Sequence, residues 1–201
     1  MIPRGTVKTS IVYALGGSLY VNVTNECSNS CTFCIANEGP LFAGVRLSFE
    51  SRTEEPTADE IMSAILSAPS FEELVFCGFG EPWERISVIM NVLQGLVLPA
   101  DRVRINTNGQ DFLLASPSRL DELVPFVETL SVSLNAPDAE TYEKLCRPVH
   151  GAKAFDAVCD FIRTAHTRGF RVIATAVASS GVDMEAVRCV AEGLGAQFRA
   201  R

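Results

Sequence analysis

The stretch SLYVNVTNECSNSCTFC, residues 18–34, joins a β-strand pattern to a loop with three cysteines. Residues 18–23 are rich in β-branched and aromatic side chains, which favour a strand. Cys27, Cys31 and Cys34 follow at the spacing C-x3-C-x2-C. The stretch therefore predicts a strand whose carboxyl end carries a group of thiols.

The rest of the chain alternates between helix and strand patterns. Helices are predicted over 56–68, 83–96, 117–128, 139–146, 154–169 and 183–195, and Pro125 is expected to interrupt the third of them. Further strands are predicted over 74–78, 102–107, 129–134, 171–177 and 196–200, and a hairpin turn at Gly16-Gly17 precedes the first strand. Most of these strands are apolar runs, which predict parallel βαβ units covered on both sheet faces.

Six such units are fewer than the eight of a closed barrel, which typically needs about 250 residues. An open partial barrel and a doubly wound sheet both fit the pattern, and in either fold ligands bind at the carboxyl ends of the strands. No linker composition divides the chain, so residues 1–201 are expected to form a single domain. The stretch 36–55 is expected to be an irregular loop.

Composition narrows the function classes. The net charge of −7, without Lys/Arg runs, disfavours nucleic acid as a partner but does not exclude it. No stretch has the roughly 18 uncharged apolar residues that a membrane span needs, and residues 1–17 lack a secretory signal pattern. We therefore expect a cytoplasmic protein, in which the seven cysteines stay reduced.

Reduced cysteines at this spacing indicate metal binding. A structural zinc site takes four ligands, usually as two separated pairs, and neither His150 nor His166 is paired with a cysteine in that way. Iron–sulfur clusters are held by thiolates, and a four-iron cluster held by three of them keeps one iron open for another ligand. The alternative is that the three thiols are merely structural.

Three further segments extend the pattern. CGFGEP (77–82), INTNG (105–109) and SVSLNAP (131–137) end successive predicted strands. Together with Phe33 directly before the third cysteine, they resemble the radical S-adenosylmethionine (SAM) superfamily over nearly the whole chain. The resemblance implies one 4Fe–4S cluster, SAM, and an electron donor such as flavodoxin or ferredoxin.

More narrowly, SVSLNAPDAETYEKLCRP (131–148) and the closing LGAQFRAR (194–201) resemble the TatD-associated radical SAM proteins. This resemblance implies an α/β fold in the form of a partial (β/α)6 TIM-like barrel with a short N-terminal β extension. It does not supply a reaction, so the class stays open between oxidoreductase and lyase.

The resemblance also implies roles for individual residues. Cys27, Cys31 and Cys34 would ligate the cluster, where SAM is cleaved. In CGFGEP, Gly78, Gly80 and Glu81 would bind the methionine amino group, although Phe79 stands where the superfamily usually has a first glycine. Further cofactor contacts are implied at Phe33, Asn108, Ser133, Asn135 and Val177. The alternatives are a plain turn for Asn108, core packing for Val177, and a helix cap for Ser133 and Asn135.

The segment LCRPVHG (145–151) lies on a loop between two predicted helices. Arg147 is a candidate to hold a substrate carboxylate or phosphate, and Cys146 a candidate to donate a hydrogen atom to a product radical. The alternatives are a surface ion pair for Arg147 and a buried apolar thiol for Cys146. Arg104, Arg199 and Arg201 are candidates to line the barrel mouth, with plain surface exposure as the alternative.

The function that the sequence predicts is therefore a radical SAM enzyme. It would cleave SAM reductively to a 5′-deoxyadenosyl radical that abstracts hydrogen from a small or nucleotide-like substrate. Within enzymes, a glycyl-radical activase and an RNA-modifying radical enzyme remain open. Outside them, the alternative is a non-catalytic iron–sulfur module for electron transfer or binding, which needs a fourth protein ligand.

Overall fold

The computed structural model describes residues 8–110 and 118–201. The strands are β1 (Val12–Leu15), β2 (Ser18–Val21), β3 (Leu41–Phe42), β4 (Val45–Arg46), β5 (Glu73–Phe76), β6 (Val103–Thr107), β7 (Thr129–Ser133), β8 (Arg171–Ala176) and β9 (Gln197–Ala200). The helices are α1 (Ala58–Leu66), α2 (Ile86–Gly95), α3 (Ser118–Leu123), α4 (Ala139–Cys146), α5 (Lys153–Thr167) and α6 (Met184–Gly193).

Seven strands form the central sheet in the order β1-β2-β5-β6-β7-β8-β9. The hairpin of β1 and β2 is antiparallel, and every later pairing in this sheet is parallel, as the apolar runs predict. The strand order follows the chain without a reversal. A doubly wound sheet reverses its order at a switch point, so that alternative is wrong. The fold is α/β with a mostly parallel central sheet.

One face of the sheet forms the core with the helices. Val21, Phe76, Ile105 and Leu130 are successive partners across four strands, and each is fully buried. Residues paired across a sheet point to the same face, so they form an apolar row against helix side chains such as Phe161. Burying side chains of this size contributes about 1.5–3 kcal/mol each to stability.

The opposite face of the sheet is mainly polar. Side chains alternate between faces along a strand, so the neighbours of the apolar row point away from the helices. We call this surface the polar face; it includes Tyr20, Glu73, Arg104, Asn106, Ser131, Ser133, Thr175 and Arg199. On this face, Ser133 on β7 is paired with Thr175 on β8, which is paired with Arg199 on β9.

Helix ends follow the local sequence. Thr57 accepts from the backbone N–H of Glu60, whose side chain in turn accepts from the N–H of Thr57, so the predicted capping box is present. Helix α5 ends at Thr167, and Gly169 follows with a φ of +88°, the left-handed conformation that glycine adopts readily. No helix in the described residues is both long and apolar enough to span a membrane.

Two segments differ from the prediction. The stretch 36–55 contains a short hairpin, β3 and β4, whose Phe42 lies edge-on to Tyr13 at 6.3 Å between ring centroids. Helix α3 ends at Leu123 and does not resume after the predicted interruption at Pro125, which lacks the backbone N–H that a helix requires. Residue 117, the predicted start, lies outside the described residues.

Candidate functional site

The three predicted cluster ligands lie on one loop at the carboxyl end of β2. We call residues 22–34 the cysteine loop. Cys27 is exposed, and Cys31 and Cys34 are half-buried. Within residues 8–110 and 118–201, no three His, Cys, Asp or Glu side chains are gathered closely enough to hold a metal ion. The donor set is three thiols on one short segment, which fits thiolate ligation of an iron–sulfur cluster.

The carboxyl end of α4 holds the cysteine loop from one side. The N–H of Ser30 donates to the carbonyl of Cys146 at 3.0 Å, and the N–H of Thr32 donates to that of Leu145 at 2.9 Å. These bonds use helix-end carbonyls that lack intrahelical partners. They place Cys31, which lies between Ser30 and Thr32, directly beside the end of this helix.

The segment after β5 holds the loop from a second side. The N–H of Gly80 donates to the carbonyl of Thr24 at 3.0 Å, and the N–H of Glu81 donates to that of Glu26 at 2.7 Å. A Cβ on Gly80 would lie 2.5 Å from both Glu26 and Thr24 backbone oxygens. Gly80 is thus required because the cysteine loop packs directly against it.

Gly78 is constrained in the same way. A Cβ there would lie 2.0 Å from Oδ1 of Asn22, whose Nδ2 donates to the carbonyl of Leu47 at 2.7 Å. Both predicted glycines therefore have packing reasons that are independent of a cofactor. Their predicted contact with the methionine amino group stays a prediction.

Glu81 is buried and joins two strand ends. Its carboxylate accepts from the N–H of Trp83 at 3.0 Å and from the N–H of Asn108 at 2.5 Å. Burial raises the pKa of Glu81 to about 7, although these backbone hydrogen bonds act in the opposite direction. The side chain therefore ties the segment after β5 to the segment after β6.

Asn108 holds the cysteine loop from the β6 side. Its Nδ2 donates to Oγ of Ser28 at 2.8 Å and lies 3.9 Å from the sulfur of Cys27. Its Oδ1 accepts from the N–H of Gln110 at 3.0 Å. The alternative of a plain turn is therefore incomplete, because the side chain contacts the loop and lies near a cluster cysteine.

Gln110 and Tyr142 are site residues that the sequence analysis missed. Nε2 of Gln110 donates to Oδ1 of Asn29 at 2.6 Å and to the hydroxyl of Tyr142 at 3.0 Å. Nδ2 of Asn29 donates to the same hydroxyl at 3.2 Å. This buried network joins the cysteine loop to β6 and α4. In the sequence, Gln110 could have been identified from its position directly after INTNG (105–109), a segment already assigned to the site.

Cys146 lies against the cysteine loop. It is fully buried, its thiol is hydrogen-bonded to that of Cys31, and its sulfur accepts from Nδ2 of Asn135 at 3.6 Å. The contact raises the pKa of Cys31 and lowers that of Cys146. The burial agrees with the alternative of a buried apolar thiol, but the thiol also contacts Cys31, a predicted cluster ligand.

The residues at the ends of β7 and β8 converge on the same edge. Asn135 has a φ of +57°, and its N–H donates to the carbonyl of Thr175 at 3.0 Å. Among the described residues, its buried Oδ1 has no hydrogen-bond partner. Ser133 accepts a hydrogen bond from Arg201 at 3.1 Å. Asp138 caps α4, so the helix-cap alternative for Ser133 and Asn135 is wrong.

The remaining predicted residues lie near this edge with fewer contacts. Val177 is half-buried and precedes a short 3-10 turn, and Phe33 is half-buried against the core. Arg147 is exposed in the left-handed conformation at the end of α4. In the described part of the chain, its guanidinium forms no hydrogen bond or ion pair. His150 is half-exposed three residues further along.

The residues present fit a cluster with an organic cofactor beside it. Three thiols lie on a loop that is held from three sides, and two buried acceptor oxygens, on Asn135 and Gln110, lack partners among the described residues. A buried polar atom without a partner costs about 1–3 kcal/mol, unless a bound group supplies the missing hydrogen bond. The edge is therefore suited to a ligand with hydrogen-bond donors.

Comparison with known proteins agrees with this arrangement. Residues 21–192 match the Radical SAM superfamily. No curated protein sequence matches the chain significantly. Several solved structures share the fold, and all are less than 25% identical to this chain.

Three of these structures illustrate the likeness. A radical SAM methyltransferase from Sphaerobacter thermophilus has a TM-score of 0.56 and 17% identity, over 94% of this chain and 68% of its own. Native anSMEcpe with bound AdoMet has a TM-score of 0.63 and 15% identity, over 90% and 51%. TsrM from Kitasatospora setae, with cobalamin and a [4Fe-4S] cluster, has a TM-score of 0.58 and 16% identity, over 92% and 36%.

The chain thus spans between about a third and two thirds of the length of these structures. The superfamily consists of enzymes that use a 4Fe–4S cluster and SAM. Its match covers the cysteine loop and each strand end described above. The chain belongs to the radical SAM superfamily.

Proposed function

We propose that this chain binds a 4Fe–4S cluster through Cys27, Cys31 and Cys34 and cleaves SAM reductively. When bound, the cluster would supply one electron for cleavage of a carbon–sulfur bond of SAM, with methionine and a hydrogen-abstracting 5′-deoxyadenosyl radical as the products. The observation that carries the proposal is the cysteine loop itself, which three neighbouring elements hold at the carboxyl edge of the sheet. These contacts fix where the loop lies, and its three thiols would gather around the cluster when it binds.

The chain's own residues would perform the positioning. Asn108 fixes the loop next to Cys27, and Glu81 fixes Asn108 through its backbone N–H. The unpaired Oδ1 of Asn135 is suited to accept a hydrogen bond from SAM. The remaining proposed SAM contacts are Phe33, Gly78, Gly80, Ser133 and Val177. Arg147 and Cys146 remain proposed substrate-side residues.

We further propose that the sheet curves into a partial (β/α)6 barrel. Nη2 of Arg201, which follows β9, donates to Oγ of Ser133 on β7 at 3.1 Å. In a flat sheet, β7 and β9 would lie about 9.6 Å apart, at roughly 4.8 Å per strand spacing. The hydrogen bond across this span supports a curved sheet with a concave polar face.

The finer assignments are proposals as well. SVSLNAPDAETYEKLCRP supports the TatD-associated group, and the acidic composition supports a small-molecule or nucleotide-like substrate over RNA. A flavodoxin or ferredoxin would supply the electron, and we expect the protein to act in the cytoplasm. We propose the single-domain organisation of residues 1–201 on the continuous strand order of the sheet.

The test is SAM cleavage by anaerobically reconstituted protein. With dithionite as reductant, the wild type is expected to release 5′-deoxyadenosine, quantified by chromatography. Cys27→Ala, Cys31→Ala and Cys34→Ala are each expected to abolish product, whereas Cys189→Ala, at an exposed cysteine on α6, is the matched control and retains it. A reconstituted wild type that carries four irons and produces no cleavage product would contradict the proposal.

A further inference from the structure

The polar face carries an excess of positive charge. Arg104 on β6 forms a bidentate ion pair with Glu73, with N–O distances of 2.9 and 2.8 Å. In the described residues, Arg199 and Arg201, from β9 and the residue after it, form no ion pair within 4 Å. The pKa of Glu73 is lowered by its hydrogen bond with Arg104 and, further, by the charge of Arg199. This local excess contrasts with the chain as a whole, whose net charge is −7.

Arg201 lies over the polar face. Its Nη2 donates to Oγ of Ser133 at 3.1 Å, and its backbone continues the pairing of β9 with β8. The Arg201 side chain is exposed, and its pKa is lowered by partial desolvation against the face and, further, by the like charges of Arg199 and Arg104. An anion at this place would offset both effects, because it would compensate the lost hydration and the repulsion between guanidinium groups.

An unpaired hydroxyl lies on the same face as these cations. Ser131 is 1% exposed, and among the described residues its Oγ has no hydrogen-bond partner. It precedes Ser133 by two residues on the same strand, so the two share the polar face at a spacing of about 6.6 Å. A buried hydroxyl without a partner is unfavourable unless a bound group accepts from it.

We propose that the polar face binds a small oxyanion, a carboxylate or phosphate group of the substrate, through Arg199, Arg201 and the hydroxyl of Ser131. The inference rests on the proposed function, because it assigns the substrate class of the same enzyme. Arg104 is already paired with Glu73, so it adds no uncompensated positive charge to the proposed anion site. A guanidinium matches carboxylate and phosphate geometry with two parallel N–H donors.

Direct anion binding tests this proposal. Isothermal titration calorimetry is performed on the reconstituted full chain, with SAM present, no reductant, and ionic strength held constant with chloride. Inorganic phosphate and malonate are the two probes, and the tighter of them distinguishes phosphate from carboxylate as the preferred group. Binding by either is the expected result. Release of 5′-deoxyadenosine is measured separately, so that failure of anion binding and failure of SAM cleavage are distinguished.

Variants locate the site. Arg201→Gln is expected to weaken binding of the preferred anion by at least about tenfold, as loss of a charge-assisted hydrogen bond implies. Arg188→Gln is the matched control, because it removes the same charge at a distance from the polar face. Arg188 lies over Phe198, the β9 residue that faces the helices. It should change affinity less than twofold.

Two further variants keep the test decisive if Arg201→Gln folds poorly. Arg199→Gln should weaken binding to a similar extent, and Ser131→Ala by about two- to tenfold. Equal effects of Arg201→Gln and Arg188→Gln would overturn the proposal. Absence of phosphate and malonate binding by the wild type at 10 mM would overturn it as well, whatever the outcome of the cleavage assay.

Discussion

The two faces of the central sheet are built from the same strands and have opposite characters. The helix-facing side is a continuous apolar row, in which Val21, Phe76, Ile105 and Leu130 exclude water completely. The other side carries Tyr20, Arg104, Ser131 and Thr175, along with other hydroxyl, amide and charged groups. The difference shows that stability is concentrated on one face, while the other face is available for binding and chemistry.

The largest effect on stability should come from the apolar face. Phe76→Ala removes a fully buried ring from the row, and large-to-small changes of this kind cost about 3–5 kcal/mol. Chemical denaturation should show this loss of unfolding free energy. A cost below 1 kcal/mol would show that the row is not the structural core.

A substitution at the junction between sheet and loop should have the next largest effect. Gly80→Ala places a Cβ 2.5 Å from two backbone oxygens of the cysteine loop, so the loop must shift. We expect iron content after reconstitution to fall several-fold, together with a stability loss of about 1–3 kcal/mol. Gly193→Ala is the control, since a Cβ there meets no atom within 4 Å. Full cluster loading in Gly80→Ala would contradict the packing account.

Glu81 should make stability depend on pH. Burial raises its pKa in the folded state to about 7 from 4.5, so the folded protein binds the proton more tightly than the unfolded chain. This stabilisation is fully present below pH 4.5 and is lost as pH rises through about 7, by on the order of 3 kcal/mol. Glu81→Gln should remove that slope from denaturation curves recorded between pH 5 and 8. An unchanged slope would assign the dependence to other groups.

The smallest loss of stability should come from the polar face. Ser131→Ala removes a buried hydroxyl that has no partner among the described residues, so it should cost no unfolding free energy and should raise it by up to about 1–3 kcal/mol. Chemical denaturation of Ser131→Ala and Phe76→Ala under the same conditions measures the two unfolding free energies. A comparable loss in the two variants would remove the contrast between the faces.

Much of the fold follows from local pattern. The apolar run before Gly78 predicts a parallel strand, because a sheet that is covered on both faces selects apolar residues. The strand before Asn108 alternates between apolar and polar residues, since Arg104 and Asn106 lie on the polar face. The hairpin of β3 and β4 was missed since two-residue strands give too short a pattern. The interruption of the helix over 117–128 was predicted from Pro125, but the helix was expected to resume and does not.

The site was predictable at the level of residue type but not of contacts. The spacing of Cys27, Cys31 and Cys34 identifies the thiols, yet the hydrogen bond between Cys31 and Cys146 joins residues that are far apart in the chain. Gly80 was interpreted through its cofactor, whereas the structure places the cysteine loop against it. Such contacts depend on how distant strands meet at one edge, which local periodicity does not encode.

The position of Cys146 beside the loop leads to one more prediction. If three cysteines hold the cluster, Cys146→Ser should retain about four irons per chain, because Cys146 is a neighbour and not a ligand. Iron and sulfide analysis after anaerobic reconstitution measures this. Loss of the cluster in this variant would make Cys146 a fourth ligand and favour the non-catalytic iron–sulfur module.

The central claim is that the cysteine loop holds a cluster with one iron open to SAM. Electron paramagnetic resonance of the reduced, reconstituted protein tests it most directly, with spectra recorded before and after addition of SAM. The account predicts that SAM changes the g values of the cluster signal in the wild type and in Cys189→Ala. A cluster signal that SAM leaves unchanged would contradict it.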